Sequence, residues 1–410
     1  MAYRTMRRVF HEGKISQEEY LATRLSLPET KTLGFSFEAD ELFFTMVPDV
    51  YELLLRAARL DKEISQLVAA LPGRAVSSYT ESTLIDEIVL SNNIEGVHSS
   101  RREISEVLES LGKRDRSGRF RGLVQKYVML SGGQEVPLAT CEDIRALYND
   151  LVLDEVVSAK GSNAPDGRLF RAGTVDVCDG AGRPIHAGVH PEERIVELLG
   201  KSLKMLNDSS IEPLVRVAVF HYLFGYIHPF YDGNGRTNRF ISSYVIAQNY
   251  ERIVSLRLSF AIKENIGKYY SAYTTCEHVL NRGDLTPFVI VFCEIAVKAM
   301  ESMRDSLAER RAGLDLYGML LDKLPGLDDP ASFGMASALV TATLFSAYGL
   351  TPAQLGQIYN ISRQTVYKRV APLKSLGVLV QTKVGRQTYY TLDLDALKTA
   401  VESGMPSLES

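Results

Sequence analysis

The sequence predicts a mainly α protein, a helical bundle interrupted by one β-hairpin, with a winged helix-turn-helix domain at its C-terminal end. Three observations carry that expectation. Apolar residues recur at helical spacing in segment after segment up to about Glu309. Pro213 to Ile227 is apolar nearly all round, as a helix in the middle of a bundle should be. From Ala336 the pattern runs helix, helix, turn, helix and hairpin, which is the order of a winged helix.

Each element has its local reason. From Ser36 to Leu71 the apolar positions Phe43, Val47, Val50, Leu53, Leu54 and Ala57 fall at helical spacing, and Leu71-Pro72-Gly73 stops the helix. A second helix, Ser82 to Ile94, ends at Glu95-Gly96, where glycine suits a left-handed cap. Further helices are expected at Arg102 to Leu111, Leu123 to Met129 and Thr140 to Leu151. Between Asp166 and His190 the pattern turns to β: Arg168-Leu-Phe-Arg-Ala-Gly-Thr-Val-Asp-Val has strand character, and Asp179-Gly-Ala-Gly-Arg-Pro supplies turn chemistry. This is the one convincing hairpin before the C-terminal region. Pro191-Glu-Glu opens the next helix with acids at its positive end. The buried helix from Pro213 must stop at His228, because Pro229 disfavours helical backbone in the residue before it. Helices resume over Arg236 to Asn249, Lys263 to Val279 and Leu285 to Glu309. The last module reads as helices Ala336 to Tyr348, Thr351 to Tyr359 and Arg363 to Leu376, then a hairpin from Val378.

Composition excludes several classes. Of 410 residues, 45% are hydrophobic and 23% charged, the balance of a soluble globular chain with room for two or three domains. Against 50 acidic residues stand 46 Lys and Arg, a net charge of -4, so the whole chain is no polybasic binder of nucleic acid or membrane. Cys141, Cys178, Cys276 and Cys293 are widely spaced with no CxxC pair, and read as free thiols of a reducing compartment. No apolar run reaches the roughly 18 residues of a membrane span, and the start shows no signal core, so a cytoplasmic protein with no membrane contact is expected. The expected division is 1–75 as an N-terminal helical region, 76–310 as the catalytic domain, 311–335 as a linker and 336–410 as the winged helix.

The chemistry concentrates in His228-Pro-Phe-Tyr-Asp-Gly-Asn-Gly-Arg-Thr-Asn-Arg239, a loop between a buried helix and the start of the next. Gly233 and Gly235 allow a tight turn and a close approach to a ligand, and Asn234 adds an amide donor. The following helix presents unpaired N–H groups and the positive end of its dipole, which suits phosphate. Arg236 and Arg239 stand one turn apart and can both meet phosphate oxygens. Asp232 is a hard oxygen ligand for a Mg²⁺ that bridges such phosphates. His228 is the obvious base. The loop is not a P-loop, for it has no Gly-Lys-Ser/Thr ending and follows a helix rather than a strand.

This segment resembles the signature of the Fic family, HxF-x-(D/E)-GNGR-x-x-R. His228, Phe230, Asp232, Gly233, Asn234, Gly235, Arg236 and Arg239 meet all its specified positions. The resemblance implies protein adenylylation: His228 deprotonates a Ser, Thr or Tyr hydroxyl of a target protein, which attacks the α-phosphorus of ATP and expels pyrophosphate with Mg²⁺. It also implies that Asp232 holds the metal and that Gly233, Asn234, Gly235, Arg236 and Arg239 hold the phosphates. The likeness runs from about Ser82 to Glu301. In it the hairpin of Val175 to His190 is similar to the family's flap, which aligns a target segment by strand pairing; His190-Pro191 stands where many relatives have Pro-Pro. Tyr269 and Tyr270 resemble aromatic residues that border the adenine pocket, and simple core packing accounts for them equally well. His221 reads as a packed core histidine.

Ser91-Asn-Asn-Ile-Glu95-Gly96 matches the family's inhibitory pattern (S/T)xxxE(G/N). Ser91 and Glu95 share a helix face. The resemblance implies that Glu95 reaches Arg239, blocks the productive γ-phosphate position, and can also serve hydrolytic removal of AMP; the bland alternative is an ordinary helix end. Residues 351–410 hold seven Lys and Arg and four acids, or +3, against -7 for the rest. Ser362, Arg363, Gln364, Thr365 and Lys368 open a recognition-type helix, with Lys383 and Arg386 at the wing, so duplex DNA is one partner the module fits. Target docking or homodimer formation is the other use of such a module. The rival to an autoinhibited adenylyltransferase is a DNA-binding transcriptional regulator whose Fic domain senses ATP.

Overall fold

In the computed structural model the chain is described over residues 3–36, 40–111, 118–178, 184–327 and 329–404, with side chains for all of these except 178, 184, 185, 403 and 404. It is mainly helical with three two-stranded antiparallel hairpins among the described residues. It forms two compact units, Met1–Glu63 with Leu84–Met303, and Ile64–Thr83 with Arg304–Ser410.

The larger unit begins with α1 (Met6–Glu12) and α2 (Gln17–Leu25), capped by Thr5 and Ser16. Then come β1 (Thr30–Ser36) and β2 (Glu41–Thr45), paired with Thr30 opposite Thr45 and Thr32 opposite Phe43. This corrects the expectation of one helix from Ser36 to Leu71 and of a single early hairpin. Glu41-Leu-Phe-Phe-Thr is a short apolar run whose periodicity does not separate strand from helix. Tertiary pairing decides it, since the Phe43 amide donates to the Gly283 carbonyl and the Leu285 amide to that of Phe43. Helix α3 (Pro48–Ala69) starts at the proline.

Helix α4 (Gly73–Ile94) ends as expected at Gly96, whose φ of 69° is left-handed. α5 (Arg101–Ser110) and α6 (Arg121–Ser131) follow. α7 (Cys141–Tyr148) passes through a π-helical turn, Asn149–Leu153, into α8 (Asp154–Ala159), so the helix expected to end at Leu151 runs further. The hairpin near residue 180 is present as β3 (Asp176–Cys178) and β4 (Pro184–Ala187). The turn assigned to Asp179-Gly-Ala-Gly-Arg lies outside the described residues.

α9 (Glu192–Leu206) and α10 (Pro213–Ile227) are adjacent in the bundle. Proline at the start of α10 and Pro229 beyond its end set both boundaries. Leu214, Val217, Phe220, Leu223, Phe224 and Ile227 are all buried, so most of the surface of α10 is enclosed. α11 (Asn234–Asn249) packs on it, followed by α12 (Leu258–Glu264) and α13 (Ile266–Glu277).

α14 (Thr286–Leu321) reaches well into residues expected as linker. Leu314, Tyr317, Leu320 and Leu321 continue the helical spacing and pack in the core of the smaller unit, which keeps those turns helical. That unit holds α15 (Pro330–Phe345), α16 (Pro352–Tyr359), α17 (Arg363–Ser375), β5 (Leu379–Val384), β6 (Gln387–Leu392) and α18 (Leu394–Gly404). Thr351 and Gln354 form a capping box on α16, Asn360 is left-handed after it, and Ser362 caps α17. α18 was not anticipated; its Leu397 and Val401, one turn apart, are buried in the same core.

Cys141, Cys276 and Cys293 are buried and unbridged, and the side chain of Cys178 lies outside the described set. Among the described residues no helix is long and apolar enough to cross a membrane.

Because α10 is enclosed, truncating a large side chain on it leaves a cavity that the surrounding helices cannot close. Phe224→Ala should cost about 3–5 kcal/mol, read as a lowered urea midpoint. A midpoint within error of the unaltered protein would mean that α10 is not the centre of this bundle.

Candidate active site

The site is built where α10 ends. His228 closes the helix with φ 54° and ψ 62°, its amide donating to the Phe224 carbonyl at 3.0 Å. Phe230 then turns inward, stacks on Tyr148 at 3.6 Å between centroids, and meets the edge of Phe170. Asn234 locks the loop from the far side. Its Oδ1 accepts the Phe230 amide at 3.0 Å and its Nδ2 donates to the Phe230 carbonyl at 2.7 Å. One hydrogen of the amide expected as a ligand donor is therefore used to brace the loop itself. Gly233, with φ 80°, lies so close to the π-turn that a Cβ would come within 2.9 Å of Val152. A side chain there would be strained by the left-handed backbone and would push Val152 aside.

His228 donates from Nδ1 to the Gly225 carbonyl at 3.2 Å, because a carbonyl can only accept. That leaves Nε2 with its lone pair. Burial pushes the imidazole down to about 4, so it is neutral at ordinary pH. His221, one to two turns earlier, is also neutral, lowered by burial to about 3 and held between Ser242 and Tyr269 at 2.7 Å each. It is the core residue its pattern suggested.

A cavity of about 300 Å³ opens beside His228. Its wall includes Glu95, Gly96, Asn234, Gly235, Arg239, Tyr269 and Tyr270 from the predicted set. Ser91, Asp232, Gly233 and Arg236 are not part of that wall. Tyr269 lines the cavity while its hydroxyl is engaged by His221, so it serves the wall and the core together.

Both arginines of the loop are buried against carboxylates. Arg239 donates from Nη1 to Glu95 at 2.9 Å, from Nε to the Ser91 hydroxyl at 2.9 Å and from Nη2 to the Ser91 carbonyl at 2.7 Å. Burial works to raise the Glu95 carboxyl, but Arg239 outweighs it and holds the group below the ordinary range. Gly235 is the seat of this carboxylate, since a Cβ there would fall 2.1 Å from Glu95 Oε1. Arg236 lies 2.9 Å from Glu155 on α8 and 3.6 Å from Asp232, with its Nε buried and lacking a hydrogen-bond partner. Burial raises the Glu155 carboxyl.

Sequence reasoning missed Glu155, which no local spacing links to Arg236. It also missed Glu87, on the same face of α4 as Ser91 and Glu95. Burial raises Glu87 to about 7, and it accepts the amide and hydroxyl of Ser259 at the start of α12. This anchors α4 beside the cavity. The third omission is a pair in the cavity wall, His186 of β4 and Glu277 of α13, 3.2 Å apart. His186 Nε2 faces the Tyr226 carbonyl at 2.9 Å, so both ring nitrogens meet acceptors. Burial opposes its charge, yet Glu277 and that carbonyl raise its pKa. Among the described residues no three His, Cys, Asp or Glu side chains gather to hold a metal ion. Asp232 is a single, partly exposed carboxylate, which suits an ion that arrives with nucleotide phosphates.

Residues 139–246 match the model of the Fic/DOC family. A protein adenylyltransferase, fic-1 of Caenorhabditis elegans, is 30% identical over 36% of this chain and 28% of its own length. The protein adenylyltransferase Fic of Drosophila melanogaster is 27% identical over 44% of this chain and 32% of its own. The match thus spans about a third or less of these relatives. A solved Fic family protein from Desulfovibrio desulfuricans G20 is 20% identical, covers 85% of this chain and 97% of its own, and superposes with a TM-score of 0.49. The loop from His228 to Arg239 lies within the matched residues and carries the complete signature, so residues 139–246 are similar to the Fic/DOC family.

Proposed function

We propose that the chain is a protein adenylyltransferase restrained by its own Glu95. The observation that carries this reading is the neutral His228 with a free Nε2 in the wall of a cavity that also holds the Arg239–Glu95 pair. A target Ser, Thr or Tyr hydroxyl gives its proton to Nε2 as its oxygen bonds to the α-phosphorus of ATP. The bond from that phosphorus to the bridging oxygen breaks, and pyrophosphate leaves. Arg239 and Arg236 hold the phosphates. Asp232 is the residue that would hold Mg²⁺, whose charge offsets that of the phosphates when bound. Tyr269 and Tyr270 flank the base of the nucleotide, and the β3–β4 hairpin receives the target segment.

Glu95 opposes this arrangement. It occupies the guanidinium that the γ-phosphate needs, so nucleotide enters with its α-phosphate poorly aligned, and misalignment alone is worth about 100-fold in rate. On this reading the same carboxylate would also serve as the base that activates water for removal of AMP. Glu95→Gly should raise transfer of labelled AMP to protein by on the order of 100-fold, and His228→Ala in that background should abolish it while ATP still binds. Transfer unchanged by Glu95→Gly at saturating ATP and Mg²⁺ would reduce Ser91 to Gly96 to a capped helix end.

The pH profile follows from the sign of the His228 shift. Its neutral form is the base, so transfer should stay level through neutrality and be lost as pH falls toward about 4. An acid limb centred on the ordinary histidine value near 6.5 would show that His228 is not held in this environment.

For residues 336–410 we read a winged helix-turn-helix that binds duplex DNA, which would make the chain a regulator as well as an enzyme. On α17 Arg363, Gln364, Tyr367 and Lys368 are exposed, as are Lys383 and Arg386 of the hairpin, and this surface supports phosphate and groove contacts. The full chain should bind mixed-sequence duplex with an affinity that falls steeply with salt, and Lys368→Ala with Lys383→Ala should flatten that slope. No salt-dependent binding would leave the module to target docking or dimer formation.

A further inference from the structure

Arg171 is wholly buried between the β3–β4 hairpin and the end of α10, and its four hydrogen bonds all go to main-chain carbonyls rather than to a carboxylate. Nε donates to His228 at 2.8 Å, Nη1 to Gly173 at 2.6 Å, and Nη2 to Val189 at 2.7 Å and Ile227 at 3.3 Å. Burial lowers its pKa, a cost that a surface site would have spared.

The four carbonyls are not a random set. Ile227 is the last residue of α10 and His228 caps it, where terminal carbonyls have no helical partner and carry the negative end of the dipole. Gly173 precedes β3 and Val189 follows β4, so they are the two roots of the hairpin. One planar guanidinium joins all of them. The backbone repeats the connection, with the Val189 amide donating to Ile227 at 3.1 Å and the Arg171 amide to Pro229 at 3.2 Å. At Gly188 the hairpin leaves no room: a Cβ there would sit 2.6 Å from Arg171 Nη2 and 3.2 Å from His228 Cβ.

We infer that Arg171 is the positioning residue of this site, fixing the left-handed backbone of His228 and both roots of the hairpin in one rigid frame. The base and the strand that receives the target then keep a constant separation. Arg171 is not in the cavity wall, so it acts through His228 and the hairpin rather than on nucleotide. The inference rests on the adenylyl transfer reading for its kinetic consequence.

Lysine keeps the charge but is a point donor that cannot span four carbonyls. In the Glu95→Gly full chain, Arg171→Lys should lower kcat by about 100-fold, the cost of a displacement near 1 Å, with the KM for ATP little changed. The imidazole pKa of His228, followed by NMR titration, provides a readout independent of transfer. His228 faces Glu95 of α4, His186 of β4 with its partner Glu277 of α13, and Arg171. Of these Arg171 is a fixed cation, so Arg171→Ala should raise that pKa while Arg171→Lys leaves it nearly in place. If Arg171→Ala does not fold, Gly188→Ala crowds the same frame with Arg171 present and should again lower kcat more than it alters the KM for ATP. Wild-type kcat in both Arg171→Lys and Gly188→Ala would overturn the inference, as would an unmoved His228 titration in a folded Arg171→Ala. If the Glu95→Gly protein transfers no AMP at all, the transfer reading fails and the titration alone decides the role of Arg171.

Discussion

The site depends on the abrupt end of one buried helix. α10 is apolar nearly all round, so the bundle holds it firmly, and Pro229 disfavours another helical turn. His228 is left in the left-handed region, a conformation a non-glycine residue adopts only when its surroundings over-determine it. They do so here through the Phe224 and Gly225 carbonyls, the stacked Phe230 and the Asn234 bridge across the loop. From that one break follow the direction of the imidazole, the start of α11 and the placing of both arginines one turn apart on it.

Electrostatics then ties the loop to its surroundings. Two guanidinium groups are buried within one turn of α11, and each has a carboxylate within about 3 Å, Glu155 for Arg236 and Glu95 for Arg239. Removing one partner of a buried pair is costly because it strands a charge, typically by about 3–5 kcal/mol. The two pairs differ in their place relative to the cavity. Glu95 and Arg239 both border the cavity, whereas neither Arg236 nor Glu155 does, and Arg239 makes two further bonds to Ser91.

Much of this was legible in sequence where local chemistry decides the outcome. Pro229 ended α10, glycine ended α4, and the order helix, turn, helix was readable from Thr351 to Leu376. The signature loop was legible because its residues lie within one short segment. What escaped depends on contacts between distant segments. Glu41–Thr45 became a strand because Gly283 and Leu285 hydrogen-bond to Phe43, and α14 stayed helical past residue 309 because its apolar stripe found a core. Glu155, Glu87, His186 and Glu277 are ordinary polar residues in sequence; only the fold sets them against Arg236, Ser259 and each other. Asn234 was recognised as a donor in the loop, but its bridge to Phe230 depends on where that residue's backbone lies, which the sequence does not show.

The central claim is that this cavity transfers AMP, and not phosphate, to protein with His228 as base. Intact-mass spectrometry of the Glu95→Gly protein incubated with ATP and Mg²⁺ tests it most directly. An increment of one or more AMP groups, absent from the Glu95→Gly, His228→Ala double variant, is the predicted result. A phosphate-sized increment, or the same AMP increment with His228 removed, would contradict it.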